Sequence, residues 1–342
     1  PVFPAVPTSA LHTMLTALPV SSEQRLQQIA HARKAMLQGD ESQPGMLAEP
    51  WIERSWQRCL ASGKNPEQAV SFEMLSPQTQ RRTEEANQVL VQAARPVLDK
   101  LGAAIASTRY FAILTNAQGV VVDVNGAIDR RDRRVDLITR IGVDLSEDSV
   151  GTTAIGAALT ELQPVWLHRG EHFFNANSAY SCAGAPLFGP DGRCAGMLDL
   201  TGVDAVERPE LRHLVVQSAR SIENALIQNR PHNLMIRLNW SSQNLGDDMD
   251  GMVCLDPDGW VTGANPAARQ MVPALQKSDA SAVHCSELFA MPYEMLFDAA
   301  KSNPLAYPQA IDVPLWSGLR LHALPLLHGR APAAGRLGGR GA

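Results

Sequence analysis

Four groups of side chains in this 342-residue sequence have the types and spacing to do chemistry. In VGTTAIGAAL, Gly151, Thr152 and Thr153 stand at a predicted helix start, where N–H groups without intrahelical partners and two hydroxyls could hold a carbonyl or carboxylate. Packing competes with that reading, because Gly151, Ala154, Gly156 and Ala157 are all small and suit a helix pressed onto a sheet. In GEHFF, His172 could face a ligand while Phe173 or Phe174 lines an apolar wall, although a lone histidine is more often structural. Cys182 lies in a strand-like run and Cys194 opens the next strand across GPDG, a spacing that would let the two thiols approach and invites redox chemistry. No Lys, Arg or His flanks Cys182 to lower its pKa, so a buried cysteine acting as a small hydrophobe is the better account. Asp123, Glu171 and Asp199 with His172 match no metal-ligand spacing. No catalytic residue, metal or cofactor is expected.

These residues need a scaffold, and composition bounds it. With 45% hydrophobic and 19% charged residues, 342 residues suffice for two domains with buried cores. A net charge of -5 gives no field for holding a polyanion, so DNA is not an expected partner of this stretch. No window reaches the run of about 18 apolar residues that a membrane span requires, and the start lacks a secretory pattern, so a cytoplasmic location is expected. Five cysteines without CxxC spacing argue against a disulfide framework or a structural zinc.

The first twenty residues carry four prolines and no period. Ser21 to Gly39 reads as a helix with capping-box spacing at Ser21 and Gln24, and EPWIERSWQRCLASG as a second, with Pro50 in its first turn and Gly63 at its end. From Ser76 to Ser107 the pattern predicts two helices end to end, broken or kinked at Pro96. YFAILT and VVVDV flank NAQG as a hairpin. The charged run IDRRDRRVDLITR predicts a solvated helix. SVGTTAIGAALTEL predicts a helix, PVWLH a strand, SCAGAPLF and CAGMLDLTG two strands joined by GPDGR, and ERPELRHLVVQSARSIENALIQN a long amphipathic helix. This order predicts an α+β domain with a central antiparallel sheet and helices on one face. A second unit begins near 250 with the hairpin GMVCLD, PDG, WVTGA, a helix from NPAARQMV, and late strands in QAIDVPLW and LRLHALPLL. The last segment, HGRAPAAGRLGGRGA, cannot bury a core.

EPWIERSWQRCLASG, VGTTAIGAAL, GEHFF, SCAGAPLFGPDGRCAGMLDLTG and SIENAL occur in the order seen in the acetoin and dihydroxyacetone regulators of the sigma-54-dependent class, which the chain resembles from Glu49 to Asn229. DPDGWVTGANPAA resembles the opening of a PAS module. The resemblance implies a helical N-terminal segment (1–75), a GAF-like sensor domain (76–230), a smaller PAS-like α+β domain (231–328) and a disordered tail (329–342). Regulators of this kind normally continue into an ATPase and a helix-turn-helix. The phosphate-loop pattern GxxxxGK[ST] does not occur here, so the resemblance implies a sensory region that meets DNA and sigma-54 RNA polymerase only through output domains missing from this chain.

The function so implied is signal sensing for a catabolic operon, gated by a small metabolite or a regulatory protein, the latter because dihydroxyacetone regulators answer to kinase subunits. Two rivals stand beside it: an interaction adaptor without a small ligand, and a thiol-based reductase of free methionine sulfoxide using Cys182 or Cys194. The expected ligand site combines Thr152, Thr153, Trp166, His172, Phe173, Cys182 and Asp199. A homodimer is expected through Leu211, Val215, Ser218 and Ile222, whose four-and-three spacing matches a coiled-coil seam.

Overall fold

The computed structural model describes residues 22–37, 49–276, 283–302 and 309–327. Ser21, Gly39 and the C-terminal tail therefore lie outside the described residues. The architecture is α+β, with two five-stranded sheets in which all pairings are antiparallel.

The first sheet consists of β1 (Tyr110–Asn116), β2 (Val121–Gly126), β3 (Val165–His168), β4 (Tyr180–Phe188) and β5 (Cys194–Val203), in the order β2-β1-β5-β4-β3. Strand β1 is buried at every position, which requires cover on both faces. One face carries Phe111, Ile113, Tyr180 and Cys182 and packs against α2 (Pro50–Ala61), α5 (Arg133–Ile138), α6 (Glu147–Val150) and α7 (Ala154–Glu161). The other carries Ala112, Leu114, Ala183 and Leu200 and packs against α4 (Gln88–Ile105) and α8 (Leu211–Gln228). Helices thus cover both faces, correcting the expectation of one. The short helices α5 to α7 lie between strands in sequence and fold back over the first face.

Local chemistry sets the helix ends. Pro50 begins α2, whose buried Trp51, Ile52, Ser55, Trp56 and Cys59 fall on one face and join the first sheet's core. Ala32 of the preceding helix packs into the same core. The predicted pair of helices over 76–107 is present, but the break lies at Asn87, between α3 (Pro77–Ala86) and α4, where the Asn87 side chain donates to Thr83 O at 2.7 Å. Pro96 lies inside α4 on its exposed side, while Leu98, Leu101 and Ile105 are buried beneath it. The packing of that apolar face outweighs the hydrogen bond lost at proline.

In α8, Leu211, Val215 and Ile222 are 5%, 0% and 0% exposed and belong to the core over the chain's own sheet, and Ser218 is 8% exposed. Side chains that one chain already buries leave no knobs for a partner helix. The side chains predicted to form a dimer seam are buried within the chain's own core.

The second sheet consists of β6 (Leu234–Asn239), β7 (Gly251–Leu255), β8 (Val261–Ala264), β9 (Ile311–Pro314) and β10 (Arg320–Leu327), in the order β8-β7-β6-β10-β9. Its central strand, β6, was missed from sequence although Leu234, Ile236 and Leu238 alternate in LMIRLN, as were the helices over Cys285–Leu288 and Glu294–Ser302. Helices α9 (Pro266–Met271), α10 (Cys285–Leu288) and α11 (Glu294–Ser302) cover this core. The two domains meet through α8 and the GPDG turn. Ile227 packs against Met252 and Cys254, Asn265 donates to Asn224 Oδ1 at 2.8 Å, and Pro190 O accepts from Ala264 N at 2.9 Å and Arg269 Nη2 at 3.0 Å.

Candidate functional site

Register decides which side chains share a face. In antiparallel pairing, directly opposed residues point the same way and neighbours in one strand point apart. Cys182 is opposite Thr201, and Asp199 opposite Ile113, so Cys182, Thr201, Asp199 and Ile113 face α7. Trp166 is opposite Ala183, which faces α4 and α8. One residue of strand parity thus places Trp166 on the far side of the sheet from the other proposed ligand residues. There it stacks on His168 at 6.4 Å and borders a separate groove of about 610 Å³ with Arg25, Arg212 and Val216.

On the α7 side a cavity of about 30 Å³ opens between sheet and helices. Thr153, His172, Cys182 and Asp199 line it, together with Tyr180, Asn177 and Thr201 and the apolar side chains of Phe72, Ile113, Ile138, Val150 and Ile155. Of the residues predicted from sequence, these first four converge, and Thr152, Phe173 and Trp166 do not. Thr152 is fully buried, with its hydroxyl 2.7 Å from Ser55 Oγ and 3.7 Å from Cys59 Sγ. Phe173 packs edge-on to Phe174 at 5.1 Å. The Phe174 ring and Phe173 Cβ press on Gly151, where a Cβ would lie 2.8 Å from the ring and 3.3 Å from Phe173 Cβ, and its φ of +69 also favours glycine. Tyr180 and Thr201 were legible, since each is two residues along a strand from a predicted site residue. Phe72, in an irregular segment, had no such signal.

The hydroxyls at the α7 start are engaged internally: Thr153 Oγ1 accepts Gly156 N at 3.2 Å as the helix cap. This supports the packing account of GTTAIGAAL. Helix α2 is fixed to the same region by Arg58, whose guanidinium meets Glu147 at 2.6 Å and Glu161 at 3.0 Å. Arg54 also pairs with Glu161, and these hydrogen bonds hold the Glu161 carboxyl below its ordinary range.

His172 arrives from the turn that follows β3. Its Nδ1 is 2.9 Å from Arg169 O, an acceptor only, which assigns the proton to Nδ1 and leaves Nε2 as a lone pair 3.6 Å from Cys182 Sγ. Complete burial pulls its pKa down to about 4, so the ring is neutral. Helix α1 (Ser22–Leu37) grips this turn: Arg33 donates to the carbonyls of Gly170 (3.1 Å), His172 and Phe173 and to Asn175 Oδ1 (2.7 Å), and Arg25 pairs with Glu171 at 2.9 Å.

Asp199 is the unusual group. It is 0% exposed, its Oδ2 accepts only the Thr201 hydroxyl, and its Oδ1 has no hydrogen-bond partner. Burial pushes its pKa up to about 7, with the Thr201 bond opposing the rise. The carboxylates of Asp123 and Glu171 lie elsewhere. Asp123 is opposite Leu114 on the other face and pairs with Arg95 at 2.8 Å, and Glu171 pairs with Arg25. The three do not assemble.

The thiols do not meet. Cys194 is opposite Phe188 and Cys182 opposite Thr201, so six residues of β4 separate them, roughly 20 Å at strand rise. A disulfide needs Cα atoms about 4.4–6.8 Å apart. Burial also raises the Cys182 thiol well above its ordinary pKa, the opposite of what a reactive thiolate requires. Treating the native protein with diamide is expected to leave no Cys182–Cys194 crosslink in a mass-spectrometric peptide map. A crosslink formed before unfolding would contradict this register.

Comparison with known proteins places the first sheet domain and its helices in a family. The model of the family described as "MimR, N-terminal domain" matches residues 27–224, more than half of the chain. The acetoin catabolism regulatory protein of Cupriavidus necator is 27% identical over 259 residues, 72% of this chain and 37% of that protein. The acetoin dehydrogenase operon transcriptional activator AcoR of Bacillus subtilis is 30% identical over 51% of this chain and 29% of that protein. The propane 2-monooxygenase operon transcriptional activator MimR of Mycolicibacterium goodii is 29% identical over 57% and 32%. The chain spans about a third of the length of these relatives, all of which are named as regulators or activators and none as an enzyme. Among solved structures, the E. coli DhaR(N)–DhaL complex contains a chain that shares the fold, with a TM-score of 0.50 and 16% identity over 82% of this chain and 99% of that one. The chain belongs to the MimR N-terminal domain family.

Proposed function

We propose that this chain is the signal-sensing region of a bacterial transcriptional regulator of a catabolic operon, and that its signal is a small uncharged hydroxy compound admitted to the cavity of the first sheet domain. The observation that carries this reading is Asp199, a buried carboxyl with an unpartnered oxygen on a wall that contains no lysine or arginine. A carboxylate or phosphate ligand would meet a second acid and no cation, a costly pairing in a dry site. An alcohol or hydroxy ketone can give its O–H to Asp199 Oδ1 and lay a short apolar body against Ile113, Ile138 and Ile155. Acetoin, in the names of two relatives, is a neutral molecule of this kind.

Size dictates how such a molecule enters. At about 30 Å³ the cavity holds roughly one water, well short of the ~300–1,000 Å³ of drug-sized ligand sites, so binding must displace a wall. The wall at Phe72, which lies outside any helix or strand, is the one assigned to move. It is held by backbone bonds from Leu75 N to Gly142 O and from Asp144 N to Glu73 O, both at 3.0 Å, and by Arg140 on Phe72 O at 3.2 Å, with exposed side chains on either side. The ligand acts only through its difference in affinity between the closed and opened arrangements. DNA and sigma-54 RNA polymerase are assigned to output domains outside these 342 residues. Titration calorimetry with acetoin and with lactate tests the reading. Acetoin is expected to bind and lactate not to, while equal or tighter lactate binding would refute it.

The small volume favours a second reading, in which a regulatory protein supplies the signal and the cavity stays filled by its own side chains. The related fold was solved as the DhaR(N)–DhaL complex. Absence of any small-ligand heat would leave this second reading in place.

A further inference from the structure

The second sheet domain holds three tryptophans in the open, Trp240 at 51% after β6 and two more that share one face. Trp260, in the β7–β8 turn, is 45% exposed, and Trp316, in the β9–β10 turn, is 69% exposed, with Leu319 beside it at 56%. Both indoles flank the same short stretch of chain. The Trp260 ring lies edge-on to His284 with centroids 5.2 Å apart, and Trp316 Nε1 donates to Ser286 O at 2.9 Å. His284 is locked between them: its Nε2–H donates to Asp258 O at 2.9 Å, its Nδ1 is 2.7 Å from Ser286 Oγ, and Tyr293 packs on its other side at 5.1 Å. Under this layer the core is closed, with Cys285, Phe289 and Leu315 at 1%, 0% and 4% exposure.

A fixed yet exposed indole is informative. Trp316 spends its one hydrogen-bond donor holding its ring over the surface rather than covering the core, so much of the ordering cost of a later contact is already met. Exposed, rigid tryptophans are the side chains that most often dominate protein interfaces.

The charges around them select the partner. Asp258, Glu287 and Glu294 are exposed and Asp256 is half-buried. Asp256 Oδ1 accepts Trp260 N at 2.9 Å, Glu287 accepts His284 N at 3.3 Å, and Glu294 adjoins Tyr293. Among the described residues none of the four is in an ion pair with arginine or lysine, and the β9–β10 turn region adds one basic residue, Arg320. Burial, reinforced by the charges of Glu294 and Asp256, pushes the Cys285 thiol up to about 11. An acidic rim repels nucleic acid and anionic membrane and attracts cations. Guanidinium groups fit best, since their flat faces stack on indoles while their edges bond carboxylates two at a time.

We propose that the face formed by Trp260, His284 and Trp316 with its acidic rim is a docking surface for an arginine-bearing segment of a partner protein. It lies on the domain that does not hold the cavity, and it stands whether or not the cavity takes a ligand.

The probe is an eight-residue peptide of alternating arginine and alanine, titrated into the full 342-residue chain in ~150 mM salt and followed by tryptophan fluorescence and calorimetry. The arginine peptide is expected to bind, the glutamate counterpart not to, and the lysine counterpart to bind more weakly. Trp316→Ala and Glu294→Lys, both at exposed positions and so compatible with folding, should each weaken binding at least ten-fold, with the melting temperature unchanged. Three results would overturn the proposal: no binding of the arginine peptide at millimolar concentration, binding unchanged in both variants, or a wild-type dimer in sedimentation that Trp316→Ala converts to monomer, which would assign the face to a second copy of this chain.

Discussion

Replacing Ile222 by aspartate will cost the chain its fold. Ile222 is 0% exposed in the core between α8 and the first sheet, so the substitution removes a buried aliphatic side chain and leaves a carboxylate with no partner. The first loss is typically about 2–5 kcal/mol and the second adds several more, against a total stability of about 5–15 kcal/mol. The cooperative melting transition should disappear or fall by tens of degrees, whereas Gln217→Asp on the exposed side of the same helix should change stability by no more than about 0.5 kcal/mol. An Ile222→Asp protein that melts like wild type would show that α8 does not pack where it is described.

Replacing Asp199 by asparagine is expected to stabilise the protein increasingly as pH rises. The Asp199 carboxyl, at about 7 in the fold and near 3.8 ordinarily, holds its proton longer folded than unfolded. It therefore imposes no penalty below about pH 4, a growing one as pH climbs, and the full one above about pH 7. Three units correspond to on the order of 4 kcal/mol. Asparagine does not titrate, so the stability difference between variant and wild type should widen between pH 4.5 and 8 by an amount of that order. Glu223, also raised to about 7 by burial, is present in both proteins and cancels. A difference that stays flat across this range would show that Asp199 is solvated or paired.

Much of this was readable in the residues, and the failures have local causes. The hairpins at NAQG, GPDG and PDG, the α7 helix and the long α8 all follow from turn chemistry and apolar period, and all are present. Strand parity was the information left unused. Trp166 and Leu167 are adjacent and face opposite sides, so grouping Trp166 with Cys182 ignored an alternation that the strand itself displays. The Cys182–Cys194 idea failed the same way, because two thiols near one turn are close only if they are equidistant from it. Ambiguity of period explains the dimer seam, since four-and-three spacing fits a partner helix and a sheet equally well until burial decides. Phe72 and the Arg33 clamp were invisible, because they join segments far apart in sequence through contacts that no local pattern encodes. Asp199 was identified, but its lack of a partner is a property of three strands together.

The central claim, that a neutral hydroxy compound enters the cavity of the first sheet domain, is tested most directly by isoleucine methyl NMR during titration with acetoin. Ile113, Ile138 and Ile155 line the cavity, while Ile236 and Ile311 belong to the second sheet domain. The expected result is saturable shifts of the first three methyl signals with the last two unmoved. Shifts confined to Ile236 and Ile311, or no saturable shift at millimolar acetoin, would contradict it.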